Sequence, residues 1–414
     1  MTLPRAQGSS GQPPAFLVFA DDWGEHPSSA QHLFRSIAAR HPVAWVNTVG
    51  MRDPALTRAD LARALRKLRK MVRGGRSGAR ARLPGEPLRV EQPPMLPYAQ
   101  FALVRRFNAR SVGRLLKRLA EQPEFRAPLV VTTVPNAADY IERLSDWPLV
   151  YYCVDDFSLW PGVDAPRVRD MEARLIERAQ AIIVSSERLQ ERLVRSNKPI
   201  HLITHGVDLP HFAAHSSTEH PVLRGIPRPR AGFFGLIDHR TDQTLLAAVA
   251  RAMPQLSFVL AGPIEAPLEA LARQANVHMT GPVPYAELPE LIAGLEVLFI
   301  PYRTGPLGDA LSPLKLKEYL ATGRPIVSTP IAEAKRYSNY VSLAATAEEW
   351  VVAITAALQT EARERSGTLA SLLESESWER KAERFLEICR AASAGTAESH
   401  PRASASAGAG VVVE

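Results

Sequence analysis

The sequence predicts an α/β protein made of two doubly wound halves. Three observations predict it. The chain has 414 residues, room for two domains of ordinary size. Short apolar runs of strand length alternate with stretches of helical period, the signature of parallel sheets covered on both faces. The series is interrupted once, by the Pro-, His- and Ser-rich stretch His211–Arg230, and then resumes.

Taken in order, residues 1–14 are rich in Pro, Gly and Ser and are expected to be disordered. Phe16–Ala20 is the first strand; AFLVFA is too short an apolar stretch for a signal peptide. A helix over Ser28–Ala39 follows the loop DDWGEHPSS, and Val43–Asn47 is the second strand. Beyond a strongly basic segment, Leu129–Thr133, Leu149–Val154, Ala181–Ser185 and Ile200–Thr204 are further strands. The first domain is placed at 15–212 and a linker at 213–230. The second domain, 231–376, takes its strands from Gly232–Leu236, Ser257–Ala261, Val277–Met279, Leu295–Ile300, Ile326–Ser328 and Tyr340–Leu343. Helices are expected at Thr346–Gln359 and Trp378–Ala391. The Ala/Ser/Gly-rich tail 392–414 is expected to be unstructured.

The chain is 46% hydrophobic, enough for a large core. Cys153 and Cys389 are its only cysteines, which suggests a reducing cytosol rather than a disulfide framework. No apolar run approaches the roughly 18 residues of a membrane span.

The densest information lies in Leu298–Thr329, LFIPYRTGPLGDALSPLKLKEYLATGRPIVST. A strand runs into a loop with Gly305 and Gly308. Ser312 then reads as an N-cap with Pro313 at the first helical position. Gly323 and Pro325 mark the stop. A helix N-terminus at the carboxyl end of a strand is a ready anion site, and Lys315 in its first turn adds a full charge. Glu318 lies one turn deeper on the same face, where a carboxylate accepts two ribose hydroxyls. In isolation, Lys315 and Glu318 are equally an i,i+3 surface ion pair.

SPLKLKEYLATGRPIVST resembles the donor-binding helix of GT-B glycosyltransferases, particularly the family-four type that builds bacterial surface polysaccharides. THGVDLPHF (Thr204–Phe212), FVLAGP (Phe258–Pro263), Val277–Tyr302 and YYCVDDFSLWPGVD (Tyr151–Asp164) resemble further segments in the same order, the last being similar to teichuronic-acid-type transferases. The resemblance implies a GT-B fold, two Rossmann-like domains with parallel sheets facing across a cleft, the last helix crossing back to the first domain. It implies transfer of a sugar from a nucleotide-diphospho-sugar to a hydroxyl of a lipid-linked glycan, without a cofactor or metal. A nucleotide-sugar epimerase and a non-catalytic partner subunit are the alternatives on this fold.

On this resemblance the donor site comprises Gly235, His239, Arg240, Gly262, Val283, Tyr285, Arg303, Asp309, Ser312, Pro313, Leu314, Lys315 and Glu318. Arg303 is a candidate diphosphate clamp, because a guanidinium suits phosphate oxygens. Gly235 allows close backbone approach. Leu236 stands where the family carries an Arg, with His239 and Arg240 as substitutes. Val283, between Pro282 and Pro284, offers backbone groups to the base, and Tyr285 a ring to stack on it. The family's other Glu is Ala310 here, with Asp309 adjacent; this leaves sugar contacts and stereochemistry open. Asp155, Asp156 and Asp22 are the acceptor-side catalytic candidates; Asp155-Asp156 equally suits capping at a strand end. His26 and Gln31 belong to the first strand–helix loop, and Glu172, His205 and Asp208 are weaker candidates. There is no cluster with metal-ligand spacing, no P-loop and no nucleophile elbow.

Arg58–Arg82 holds ten Lys/Arg and one acid, more net charge than the +7 of the whole chain. Leu61, Leu65, Leu68 and Val72 make a helical stripe with cations off it, and Val104–Leu119 is a second basic amphipathic stretch. Both suit an anionic membrane surface and equally suit domain helices with a solvated basic face. Nucleic acid is not expected. The protein is placed in the cytoplasm, peripheral on the inner face of the plasma membrane.

Overall fold

The computed structural model describes residues 14–24, 28–48, 89–144, 147–160, 162–214, 216–305, 313–360 and 367–398. They group into two compact units, one from Met1–His26, Phe34–Ile203 and Glu383–Glu414, the other from Pro27–Leu33 and Thr204–Ala382.

The first unit is built on seven strands: β1 (Phe16–Ala20), β2 (Val43–Asn47), β3 (Arg89–Glu91), β4 (Leu129–Thr132), β5 (Leu149–Cys153), β6 (Ala181–Val184) and β7 (Ile200–Leu202). Their order is β3-β2-β1-β4-β5-β6-β7, and every pairing is parallel. β1, β2, β4, β5 and β6 are buried at every position. That is why they read as continuous apolar runs: a sheet covered on both faces has no polar side to alternate with. β3, with the sequence RVE, carries no such run. It is an edge strand with two exposed residues, and charge on an edge discourages further pairing.

Helix Ala102–Ala120 buries Val112, Leu115, Leu116 and Leu119. The apolar residues from Val112 to Leu119 therefore pack the core, and the outward face is basic with Leu103 and Phe107 exposed near its start. Cys153 and Cys389 are both free and buried.

The second unit repeats the plan with β8 (Arg230–Phe234), β9 (Ser257–Ala261), β10 (Val277–Gly281), β11 (Val297–Ile300), β12 (Ile326–Ser328) and β13 (Ser342–Leu343). The order is β10-β9-β8-β11-β12-β13, again all parallel. In both sheets the order reverses beside the first strand, which makes a topological switch point; in open α/β sheets ligands bind at the carboxyl ends of the strands there. In the second unit it lies between β8 and β11.

Three boundaries differ from the sequence reading. The second unit takes up at Thr204, and residues of the expected linker are structured. Asp208 caps a short helix at Leu209–Ala213, and buried Arg230 donates to the carbonyls of Leu223, Ile226 and Gly294 while pairing with Glu219. The helix after the glycine loop starts at Leu314, with Pro313 in extended conformation as its N-cap. The last helix, Trp378–Glu398, runs seven residues into the expected tail. Its Ala-rich sequence is low in complexity but high in helix propensity. Among the described residues, no helix is long and apolar enough to cross a membrane.

Candidate functional site

The site grows from two glycines at strand ends. Gly235 follows β8 with φ +126°, and Gly262 follows β9 with φ +156°. A Cβ on Gly262 would lie 1.9 Å from the Gly235 carbonyl oxygen, and one on Gly235 would lie 2.7 Å from Lys315 Nζ. Backbone and ammonium thus meet where no side chain fits, in conformations that favour glycine.

Helix Leu314–Thr322 brings Lys315 to this place. Tyr319 fixes the helix by accepting a hydrogen bond from the Phe234 amide, at 3.0 Å, and Gly323 ends it in the left-handed conformation. Lys315 Nζ donates to Tyr302 Oη at 2.7 Å and lies 4.1 Å from the Phe233 ring centroid. Within 4.0 Å it has no carboxylate partner among the described residues. A cation in the first turn adds to the positive end of the helix dipole, an arrangement that a bound anion relieves.

Glu318 is buried, 7% exposed, and receives no hydrogen bond from a described residue. Burial pushes its carboxyl up to about 7, with Lys315 opposing and Asp208 adding to the rise. The two residues are therefore not a surface i,i+3 pair. Glu318 is buried and Lys315 half-buried in the first two turns of the helix.

The β8 and β11 loops are tied together beside it. Thr241 and Tyr302 form an isolated antiparallel bridge, the Asp242 amide donates to the Pro301 carbonyl, and the Arg303 amide donates to the Arg240 carbonyl. Arg303 Nε donates to the His239 carbonyl at 3.2 Å. Arg240 is fastened to buried Asp238 by bonds of 2.9 Å, with its guanidinium 5.8 Å from the Tyr302 ring centroid. Lys315 and Arg240 thus flank Tyr302 at the switch point, and Arg303 ties the two loops beside it.

Val283 is half-buried between exposed Pro282 and Pro284. The ring of Tyr285 is stacked on His211 at 4.5 Å, with His32 tilted against it at 5.3 Å and Phe212 edge-on at 5.6 Å. Tyr285 is therefore a packed support for this loop, with one face of its ring taken by His211. Asp309 and Ser312 lie outside the described residues, as does His26. Gln31 is buried in helix Ser29–Ala38.

In the first unit, Asp155 accepts from the Asp156 amide at 2.7 Å and Trp160 Nε1 at 2.8 Å. Asp156 accepts from the amide and hydroxyl of Ser158 and lies 3.5 Å from Arg192 Nε. These bonds make the pair the cap of the turn Phe157–Leu159 and leave little of either carboxylate to act as a base. Glu172 is likewise occupied, by Arg192 and Tyr151. Asp22 is half-buried just beyond β1.

Sequence reasoning missed the support on the other side of the helix. Lys317 is 2% exposed and donates to the Thr204 hydroxyl at 3.0 Å, the His205 carbonyl at 2.5 Å and Glu376. Lys381 Nζ reaches the same Glu376 oxygen at 3.0 Å. Burial and these two lysines hold the His205 imidazole near 3, hence neutral at physiological pH, and its Nδ1 is 2.6 Å from Ser29 Oγ. Lys317 follows Lys315 by two residues and so points away from it; a lysine at such a position is the one signal the sequence held.

Comparisons with known proteins bear on the fold and the second unit. Residues 228–360 match the family described as glycosyl transferases group 1. A Bacillus subtilis (strain 168) protein, TuaH, named as a glycosyltransferase of teichuronic acid biosynthesis, is 28% identical over 222 residues, 49% of this chain and 55% of that one. The alignment thus spans about half of each. Among solved structures, sucrose-phosphate synthase from Thermosynechococcus elongatus superposes with a TM-score of 0.65 at 15% identity, covering 92% of this chain and 100% of that chain. Anabaena HepE, solved with UDP and glucose, gives 0.60 at 15% identity, covering 90% and 99%. The fold is GT-B: two Rossmann-like domains, the second of which contains the stretch that matches the group 1 glycosyl transferase family.

Proposed function

We propose that the protein is a glycosyltransferase that takes a sugar from a nucleotide-diphospho-sugar and delivers it to a hydroxyl of a lipid-linked glycan in cell-surface polysaccharide synthesis. The observation that carries the reading is the pair Lys315 and Glu318 at one helix mouth. Among the described residues, the first is a cation without a carboxylate partner, and the second is a buried carboxylate without a donor. A nucleoside diphosphate supplies what each lacks: phosphate oxygens for Lys315 and the helix amides, ribose hydroxyls for Glu318. The match of residues 228–360, the likeness to TuaH and the UDP bound in HepE support it.

In this reading, charge building on the departing diphosphate is stabilised by the helix dipole, Lys315 and Arg303. Arg240 contributes through its field while it stays on Asp238. The Gly235 and Gly262 backbones line the phosphate position, and Pro313 and Leu314 set the helix start. Val283 offers its backbone to the base. Asp309 and Ser312 belong to the same loop. The chemistry in this reading needs no metal, since the helix dipole and fixed cations neutralise the leaving group. Asp22, on the first unit, is the acceptor-side base in this reading, with Asp155, Asp156, His26 and Gln31 as its other acceptor-side residues. The basic segment Arg58–Arg82, outside the described residues, holds the enzyme at the inner membrane face.

Calorimetric titration with UDP, GDP, ADP and dTDP tests the donor site. One of them should bind, and Lys315→Ala should weaken it at least about tenfold, the loss of one charge-assisted contact. The nucleoside without phosphates should bind the variant and the wild type alike. No binding by any diphosphate, or equal binding to the variant, would overturn the reading.

A further inference from the structure

We propose that the outward face of helix Ala102–Ala120 docks on an anionic lipid surface, with an apolar tip that enters the interface and a row of cations that meets the headgroups. This deepens the membrane part of the reading above and rests on it, but not on the donor site.

The exposed positions of the helix after Ala102, itself exposed, are Leu103, Arg106, Phe107, Arg110, Arg114, Lys117 and Arg118. Their spacing of three and four residues puts them on one face. The helix contains no Asp or Glu. Arg106, Arg110, Arg114 and Arg118 follow one another at i,i+4, where like charges repel and opposite charges would stabilise. Lys117 and Arg118 suit the negative end of the helix dipole. Arg106, Arg110 and Arg114 gain nothing from it. A negatively charged surface removes this repulsion along a row about 18 Å long, from Arg106 to Arg118.

The tip of the same face is apolar. Phe101 is 60% exposed, Leu103 78% and Phe107 41%. Leu96, 46% exposed, is clamped to the helix: its amide donates to Asn108 Oδ1 at 2.8 Å, and Asn108 Nδ2 donates to its carbonyl at 2.9 Å. Large apolar side chains gathered beside a row of cations fit a lipid interface, where the tip reaches the acyl boundary and the cations stay among the phosphates. A duplex nucleic acid would satisfy the cations and leave the tip in water. Because Val112, Leu115, Leu116 and Leu119 are held in the core, the helix meets the surface by this face and not by its leucine stripe.

The experiment is vesicle co-sedimentation of the full chain. Wild type should bind phosphatidylglycerol–phosphatidylcholine vesicles at low salt and leave pure phosphatidylcholine. The triple variant Phe101→Ser, Leu103→Ser, Phe107→Ser should bind the anionic vesicles about tenfold more weakly or worse, and Arg106→Glu, Arg110→Glu, Arg114→Glu should release the protein. Both should keep the wild-type melting temperature, since every changed residue is at the surface. Leu103→Cys carrying an environment-sensitive dye should shift to the blue on anionic vesicles; both native cysteines are buried, so the label reports on position 103. Wild-type partitioning by both triple variants, together with no dye shift, would overturn the proposal. If in addition Glu replacements at Arg66, Lys67, Lys70 and Arg73 release the protein, the wider membrane reading stands without this helix. Wild type that ignores anionic vesicles overturns both, and if it then retards a short DNA duplex the face belongs to nucleic acid.

Discussion

Glu318 is a residue whose burial costs stability and whose proposed ribose contact would give that burial a purpose. Its carboxyl titrates near 7 in the folded chain, against an ordinary value of 4.5, because burial disfavours the charged form. Between those values the unfolded chain gives up the proton while the folded chain keeps it, so this group lowers stability as pH rises from 4.5 to 7 and leaves it lowered above. Glu318→Gln is therefore expected to melt higher than wild type at about pH 8 and equally at about pH 4. Ribose hydroxyls donate to the ionised form. Affinity for the nucleoside diphosphate should thus rise with pH through 7 in wild type relative to Glu318→Gln, read by calorimetry at each pH. A variant with the wild-type affinity and pH profile would remove the ribose role. Gly235 offers an independent check. Gly235→Ala puts a Cβ against Lys315 Nζ at a φ that L residues avoid, so about 1–3 kcal/mol of stability should be lost. The displaced ammonium should also weaken diphosphate binding by about tenfold or more. Equal diphosphate affinity in the two proteins would show that Lys315 is not placed by this contact.

Helix Leu314–Thr322 is an element with two differently charged sides. Lys315 and Glu318 face the strand ends, while Lys317 is buried among Thr204, His205 and Glu376. The helix is therefore fastened by a buried charge as well as by Leu316, Tyr319 and Leu320 in the core. Losing one partner of such a pair leaves the other uncompensated, a loss of about 3–5 kcal/mol in fully buried cases. Lys381 still neutralises Glu376, so Lys317→Met is expected below that range, at about 2–3 kcal/mol. Urea denaturation of Lys317→Met beside Lys315→Met measures the difference; the second should change stability little. Equal stability of both variants would mean that the buried lysine does not hold the helix.

For the molecule as a whole, the proposed chemistry draws all its positive charge from the protein. Sugar transfer is expected to persist in excess EDTA and to gain less than about twofold from Mg²⁺ or Mn²⁺, since a helix dipole and fixed cations act on the leaving group as a metal otherwise would. Abolition by EDTA with rescue by metal would contradict it and return Asp155 and Asp156 to consideration as ligands. Two sheets of the same winding order account for a chain that reads as two similar halves without a short repeat.

What the sequence determined by itself is the architecture and the helix at the site. Continuous apolar runs such as Val43–Asn47 and Ser257–Ala261 mark strands buried on both faces, because burial leaves no place for polar residues. Pro313 and Gly323 bracket the helix, because backbone conformation at these residues is a local property. The polar strand Arg89–Glu91 escaped, since an edge strand needs no apolar signature. Only the tertiary structure decided what the charged groups do. Glu318 became buried, Arg240 bound to Asp238, Tyr285 stacked on His211, and Lys317 paired with Glu376 across 59 residues of chain. The physical reason is common to all four: burial and Coulomb interaction depend on distance in space, and a sequence records only distance along the chain.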